Sequence, residues 1–271
     1  MNTVSYRLDA RERRQLETDG YVLRERAFAP DEVARIVEEC ESLVSDVARQ
    51  RRGKRATIGS YVFEQDPHAT LMVKWEGETD VIHGLEPFAH LSPPLAAVAL
   101  DPRFMEPMID FVGDPEPMLF TEKLNLKRPG YGGIDPLHQD FPYWSNTADA
   151  SRIGTAMVFL DDSDMENGTL EVVPGSHQQG QWRTRSDRDP FGNLEIDPAL
   201  ETTAATRPLE VPAGSVVYFG AFLVHRSAPN RSRRERRALL YSYQPAGSPD
   251  MRDLLRAAFR RREAKRDQSK H

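Results

Sequence analysis

Seven histidines, at positions 68, 83, 90, 138, 177, 225 and 271, are the side chains best suited to hold a metal in this chain. One stands out. In Leu137-His138-Gln139-Asp140 an imidazole and a carboxylate lie two residues apart. On an extended strand, residues i and i+2 share a face, so both side chains can reach one ion. A second histidine from a distant strand would complete a set of two imidazoles and one carboxylate. Such a set leaves positions open on the metal and suits non-haem Fe(II) oxygenases. Alone the pattern has little weight: 42 acidic residues among 271, with seven histidines, supply about one His-x-Asp/Glu by chance.

The second half of the argument is His225, which ends the apolar run of Ala-Phe-Leu-Val-His. A turn, Ala-Pro-Asn-Arg-Ser, follows, and then a strand-like run, Arg-Arg-Ala-Leu-Leu-Tyr-Ser-Tyr-Gln. Arg236 opens that run. A hairpin of this length could set its guanidinium beside the metal, where it could clamp a carboxylate through two parallel hydrogen bonds. Alternation separates Arg236 from Arg237, so at most one of the pair faces inward. Arg231, Arg233 and Arg234 read as a solvated basic turn.

These residues need a scaffold of strands. From about residue 117 short β-rich runs alternate with Gly, Pro, Asn and Asp, a texture of sandwiches and barrels. Before it, Pro30-Asp31 starts a helix in which Val33, Ile36, Val37 and Cys40 recur at helical spacing. Residues 51–56 form a basic connector, 57–90 carry strand-like runs, and 91–113 read as helical. Residues 250–271 read as a charged helix. One domain over 1–271 is the expected organisation, with helical elements mostly in 1–115 and the β core in 117–245.

Composition sets the frame. Hydrophobic residues make up 39% and charged residues 29%, which argues against disorder. A net charge of −6 argues against nucleic-acid binding, although 30 of the 36 basic residues are arginine. No apolar run approaches the ~20 residues that span a bilayer, and no apolar leader precedes residue 17. A lone cysteine, Cys40, forbids an internal disulfide and sits on the apolar stripe of its helix, so an inert thiol is expected. The expected location is cytoplasmic.

The ordered blocks DGYVLRERAFAPDEV, KLNLKRPG, PLHQDFPYW, ENGTLEVVPGSHQ and AFLVHRSAPNRS with RRALLYSYQ cover most of residues 19–245. In these blocks the chain resembles the phytanoyl-CoA dioxygenase (PhyH) family of Fe(II)/2-oxoglutarate-dependent oxygenases. The resemblance implies an α+β fold: a double-stranded β-helix (jelly-roll, cupin-like) core with flanking N-terminal helices. It implies that His138, Asp140 and His225 hold Fe(II), and that Arg236 pairs with the distal carboxylate of 2-oxoglutarate, a task Ser227 shares. Lys123 and Asn125 fall where the family's strand before the motif meets the cosubstrate, and Lys74 matches a further lysine there. Halogenating relatives replace the carboxylate with Ala or Gly; Asp140 is present, which favours hydroxylation. The implied reaction is hydroxylation of an unactivated C–H bond of a small molecule, a specialised metabolite or amino-acid-like compound. O₂ and 2-oxoglutarate are consumed, and succinate and CO₂ are formed. Nothing in the residues speaks to oligomeric state.

Other candidates are weaker. Tyr143 and Trp144 follow the motif and are read, with Gln139, as lining the substrate pocket; alternation turns Gln139 to the opposite face, where a hydrogen bond within the sheet competes with that reading. His177, in Val-Pro-Gly-Ser-His, is read as a turn residue. The glycines of Arg-Pro-Gly-Tyr-Gly-Gly lack the lysine and serine of a phosphate loop and suggest a mobile loop over the pocket. Two other classes fit the same β core: a non-catalytic jelly-roll binding protein, and a cupin-like metal enzyme that does not use 2-oxoglutarate.

Overall fold

The computed structural model describes residues 5–50, 55–58, 61–65, 71–77, 79–131, 133–145, 149–184, 195–257 and 260. Helix α1 (Ala10–Asp19) starts where Asp9 accepts from the N–H groups of Arg11 and Glu12 and Glu12 returns a bond to the Asp9 N–H. Strand β1 (Tyr21–Arg24) leads to α2 (Pro30–Gln50), whose buried positions Val33, Ile36, Cys40, Leu43 and Val47 make the stripe read from the sequence. Four strands follow: β2 (Arg55–Ile58), β3 (Tyr61–Gln65), β4 (Met72–Trp75) and β5 (Ile82–Glu86). Helices α3 (Pro93–Val98) and α4 (Pro102–Val112) each open with a proline behind a capping residue, Ser92 or Asp101. Next come β6 (Met118–Lys127), β7 (Asp135–His138), the short α5 (Phe141–Trp144), β8 (Gly154–Phe159) and β9 (Leu170–Val172). The chain continues through α6 (Pro198–Glu201), β10 (Arg207–Pro208), β11 (Val216–Gly220), β12 (His225–Ser227) and β13 (Arg236–Gln244). Residues 251–257 and 260 are helical; residues 258–259 and 261–271 of the expected C-terminal helix, and residues 51–54 of the basic connector, lie outside the described residues.

The strands form two antiparallel sheets, one of nine in the order β1-β11-β8-β13-β6-β5-β4-β3-β2 and one of four in the order β10-β9-β12-β7. With the helices this is the α+β jelly-roll core. The β core reaches beyond 117–245: β1 pairs with β11, and β2 to β5 extend the large sheet past β6. These segments join because a strand is completed by long-range pairing, whatever its place in the chain.

Both faces of the large sheet are covered, and alternation sorts its residues. Val158 of β8, Tyr218 of β11, and Leu239, Tyr241 and Tyr243 of β13 join α2 and α4 in the largest core cluster. Met157, Phe159, Val217, Phe219 and Ala238, on the opposite face, pack with Leu170 and Val172 of the small sheet. Three buried tyrosines fasten the helices: Tyr241, Tyr243 and Tyr218 donate to the carbonyls of Leu95, Ala99 and Arg103 at 2.7–2.8 Å. Among the described residues no helix is long and apolar enough to cross a membrane.

Candidate active site

His138, at the end of β7, and His225, at the start of β12, are register partners, with ring centroids 4.2 Å apart. Each Nδ1 meets a main-chain carbonyl two residues back, Pro136 at 2.7 Å and Leu223 at 3.0 Å. A proton donated there leaves the Nε2 lone pair free for a metal. Burial, and secondarily His225, holds His138 down at about 4, so its imidazole is neutral at neutral pH.

Asp140 arrives by a route different from the one expected. The strand stops at His138, and Asp140 is already helical (φ −73°, ψ −28°) at the mouth of α5, where Pro142 favours the helical turn. Aspartate in this place commonly caps the helix through its side chain; here it makes no such bond. Its Oδ1 lies 4.0 Å from His138 Nε2, and one ligand atom from each of His138, Asp140 and His225 falls within 4.8 Å of the other two. Two imidazoles and a carboxylate fit an Fe(II)-sized cation by number and by chemistry.

Beside this triad the face of β6 carries Lys123, Asn125 and Lys127 in alternation. Lys123 pairs with Glu86 at 3.2 Å, and although burial disfavours its charge, Glu86 and Asp140 hold its pKa above the ordinary lysine value. The Asn125 carboxamide lies against Gly84 of β5, opposite in register. Lys74 donates to Asp135 at 2.8 Å, and the Ser227 hydroxyl donates to the other oxygen of the same carboxylate at 2.9 Å.

Arg236 is fully buried. Its Nε and Nη2 donate to the Gly168 carbonyl at 3.0 and 2.7 Å, while its Nη1 has no hydrogen-bond partner among the described residues. Burial lowers its pKa to about 10, partly offset by Asp135 and Asp161. A buried, unpartnered guanidinium N–H beside the triad's sheet is the feature an incoming carboxylate would satisfy. The connection from β12 to β13 is not the hairpin expected: it crosses from the small sheet to the large one. Arg237 points to the helices and pairs with Asp161 and Glu41. Arg231, Arg233 and Arg234 are exposed.

A model of the phytanoyl-CoA dioxygenase (PhyH) family matches residues 16–238. The chain belongs to this family of Fe(II)/2-oxoglutarate-dependent dioxygenases. It is 30% identical over 215 residues to an L-proline trans-4-hydroxylase of Streptomyces griseoviridis, covering 71% of this chain and 76% of that one. It is 30% identical over 150 residues to a methylphosphonate hydroxylase of Gimesia maris, covering 55% of this chain and 54% of the relative. In fold it is similar to the crystal structure of EctD from S. alaskensis with 2-oxoglutarate and 5-hydroxyectoine, at a TM-score of 0.69 and 23% identity, covering 90% of this chain and 78% of that one.

Within this dioxygenase, the residues read as a substrate pocket separate. Tyr143 is half-exposed and stands edge-on to His138, 6.0 Å between centroids; burial of its hydroxyl, with Asp140, pushes it up to about 12 against the pull of Lys123. Trp144 instead belongs to an apolar cluster with Phe120, Ala150, Ile153 and Ala221, because the turn of α5 sends consecutive side chains in different directions. Gln139 is buried and holds backbone, donating to Gly180 and Phe222 and accepting from Trp182 N–H. It braces the loops around the motif, in keeping with its alternation.

His177 sits in a 3-10 turn and reaches the Glu17 carbonyl at 3.2 Å. Cys40 is buried, and burial pushes its thiol up to about 12. In the glycine loop, Gly132 lies outside the described residues; Gly133 is bound through its N–H by Glu76 and through its carbonyl by Lys127.

Sequence reasoning missed Lys127, Gly168, His83 and Asp135. Lys127 was within reach, since alternation from Lys123 and Asn125 leads directly to it. Gly168, in Glu-Asn-Gly, has φ +79°, and a Cβ there would meet the Ala228 carbonyl at 2.3 Å. Only glycine brings its carbonyl under Arg236. No motif announces Asp135.

Proposed function

We propose that this protein hydroxylates a C–H bond of a small, polar molecule: R–H, O₂ and 2-oxoglutarate give R–OH, succinate and CO₂. The observation that carries this reading is the convergence of His138, Asp140 and His225, with each Nδ1 occupied by a main-chain carbonyl and His138 Nε2 4.0 Å from the Asp140 carboxylate. These three side chains would hold Fe(II), which when bound supplies O₂ activation and cosubstrate decarboxylation. Arg236 would anchor the distal carboxylate through Nη1, and Lys74, Lys123, Asn125 and Ser227 would line its approach. Tyr143 would form the wall of the substrate opening.

The amino-acid and phosphonate chemistry named for the relatives makes proline-like and phosphonate compounds the first substrates to try. The test is oxygen-dependent succinate formation from 2-oxoglutarate with Fe(II), with candidate substrates scored by the extra succinate they induce. Binding of 2-oxoglutarate without turnover points to the binding-protein class, and substrate turnover without succinate to the cupin-like class.

A further inference from the structure

Charge in the cleft is organised around Asp135. Its Oδ1 accepts from Lys74 Nζ of β4 at 2.8 Å; its Oδ2 accepts from Ser227 Oγ of β12 at 2.9 Å and lies 3.4 Å from Lys127 Nζ of β6. One carboxylate thus gathers donors from both sheets. The assembly continues outward: His83 Nε2 is 3.7 Å from Oδ1, and His83 Nδ1 is hydrogen-bonded to Glu76. Lys127 also donates to the Gly133 and Ala228 carbonyls at 2.7 and 2.8 Å, and its chain lies against Gly168, whose carbonyl holds Arg236. Asp135 is therefore connected directly to Lys74 and Ser227, and through Lys127 and Gly168 to Arg236.

We propose that Asp135 is a positioning residue for the cosubstrate: it holds Lys74, Lys127 and Ser227 at fixed points around the pocket that receives the distal carboxylate of a dicarboxylate. This rests on the 2-oxoglutarate reading above. Burial lowers Lys74 and brings Lys127 down to about 8, and Asp135 is the largest opposing influence on each. Asp135 is the one carboxylate shared by Lys74, Lys127 and Arg236, with Glu76 acting on Lys74 and Asp161 on Arg236 besides. With a neutral residue there, both buried lysines lose the partner that favours their protonated form. Arg236 is then left as the dependable cation, and the attraction for a distal carboxylate falls.

The test is calorimetric titration of protein loaded with Mn(II), using 2-oxoglutarate and, as the control, 2-oxobutyrate, which lacks the distal carboxylate. Asp135→Asn should weaken 2-oxoglutarate at least tenfold while leaving 2-oxobutyrate and Mn(II) affinities within about twofold. Lys74→Met should show the same split, and the double variant should bind no more weakly than Asp135→Asn alone, because the two act as one unit. Should Asp135→Asn not fold, the ligand split in Lys74→Met decides. Unchanged or tighter 2-oxoglutarate binding in the folded variants overturns the proposal, as does equal weakening of both ligands, which marks a merely structural role. Failure of the Mn(II)-loaded wild type to bind 2-oxoglutarate overturns the cosubstrate reading itself.

Discussion

The two faces of the large sheet bury polar groups in opposite ways. On the helix side, the polar atoms of Tyr218, Tyr241 and Tyr243 are neutral hydroxyls, each donating to a main-chain carbonyl near a helix end, within a large apolar cluster. On the cleft side β13 carries Arg236 and the neighbouring β6 carries Lys123 and Lys127, facing Asp135, Lys74 and the triad. Neutral hydrogen-bonded groups are inexpensive to bury, whereas charges tolerate burial only when paired. The helix side is therefore built for stability. The cleft side retains charge at a cost, and one guanidinium N–H there has no hydrogen-bond partner among the described residues. The proposed site lies on the face that folding alone would not favour.

Variants on the two faces should separate activity from stability. The largest expected effect is on the cleft side: His138→Ala should reduce succinate formation to background while its melting temperature stays close to the wild-type value. Full turnover in this variant would contradict the triad assignment. On the helix side, Leu239→Ala, at a fully buried position, should cost about 2–5 kcal/mol in denaturant unfolding and leave Mn(II) affinity intact. Loss of metal binding in the folded variant would show the faces to be coupled.

Glu122 sharpens the comparison because it is a buried carboxyl on the helix side of β6, next to the Ala89 N–H. Burial raises it to about 7, with Glu86 adding to the shift. The folded state thus holds its proton more tightly than the unfolded chain. Its contribution to stability is full below about 4.5 and is lost as pH rises through about 7, amounting to at most about 3 kcal/mol. Glu122→Gln should flatten the fall in melting temperature between about pH 4.5 and 7; an unchanged slope would assign that pH dependence elsewhere. The smallest effect is expected for Tyr241→Phe, about 1 kcal/mol, since it leaves only the Leu95 carbonyl without its donor. Chemical denaturation measures it directly.

Much of this arrangement was legible beforehand for physical reasons. The α2 stripe follows from helical period, and the split between Arg236 and Arg237 from strand period; the structure places one in the cleft and the other against Glu41. The family resemblance supplied the distant pairing of residues 138 and 225, which no local pattern contains. What escaped was direction after a strand ends. Asp140 shares a site with His138 because the backbone turns into α5, and the same turn carries Trp144 into a core cluster.

The sequence by itself determined which groups were available: two imidazoles, a carboxylate, a buried-type arginine and the strands to carry them. These are properties of residue type and short-range spacing, and they survive without coordinates. Only the tertiary structure decided that Asp135 sits among donors from three strands, that the Gly168 carbonyl lies under Arg236, and that Gln139 braces loops. Those facts depend on register between segments far apart in the chain. Register is set by the packing of both sheet faces together, a balance that no stretch of sequence contains alone.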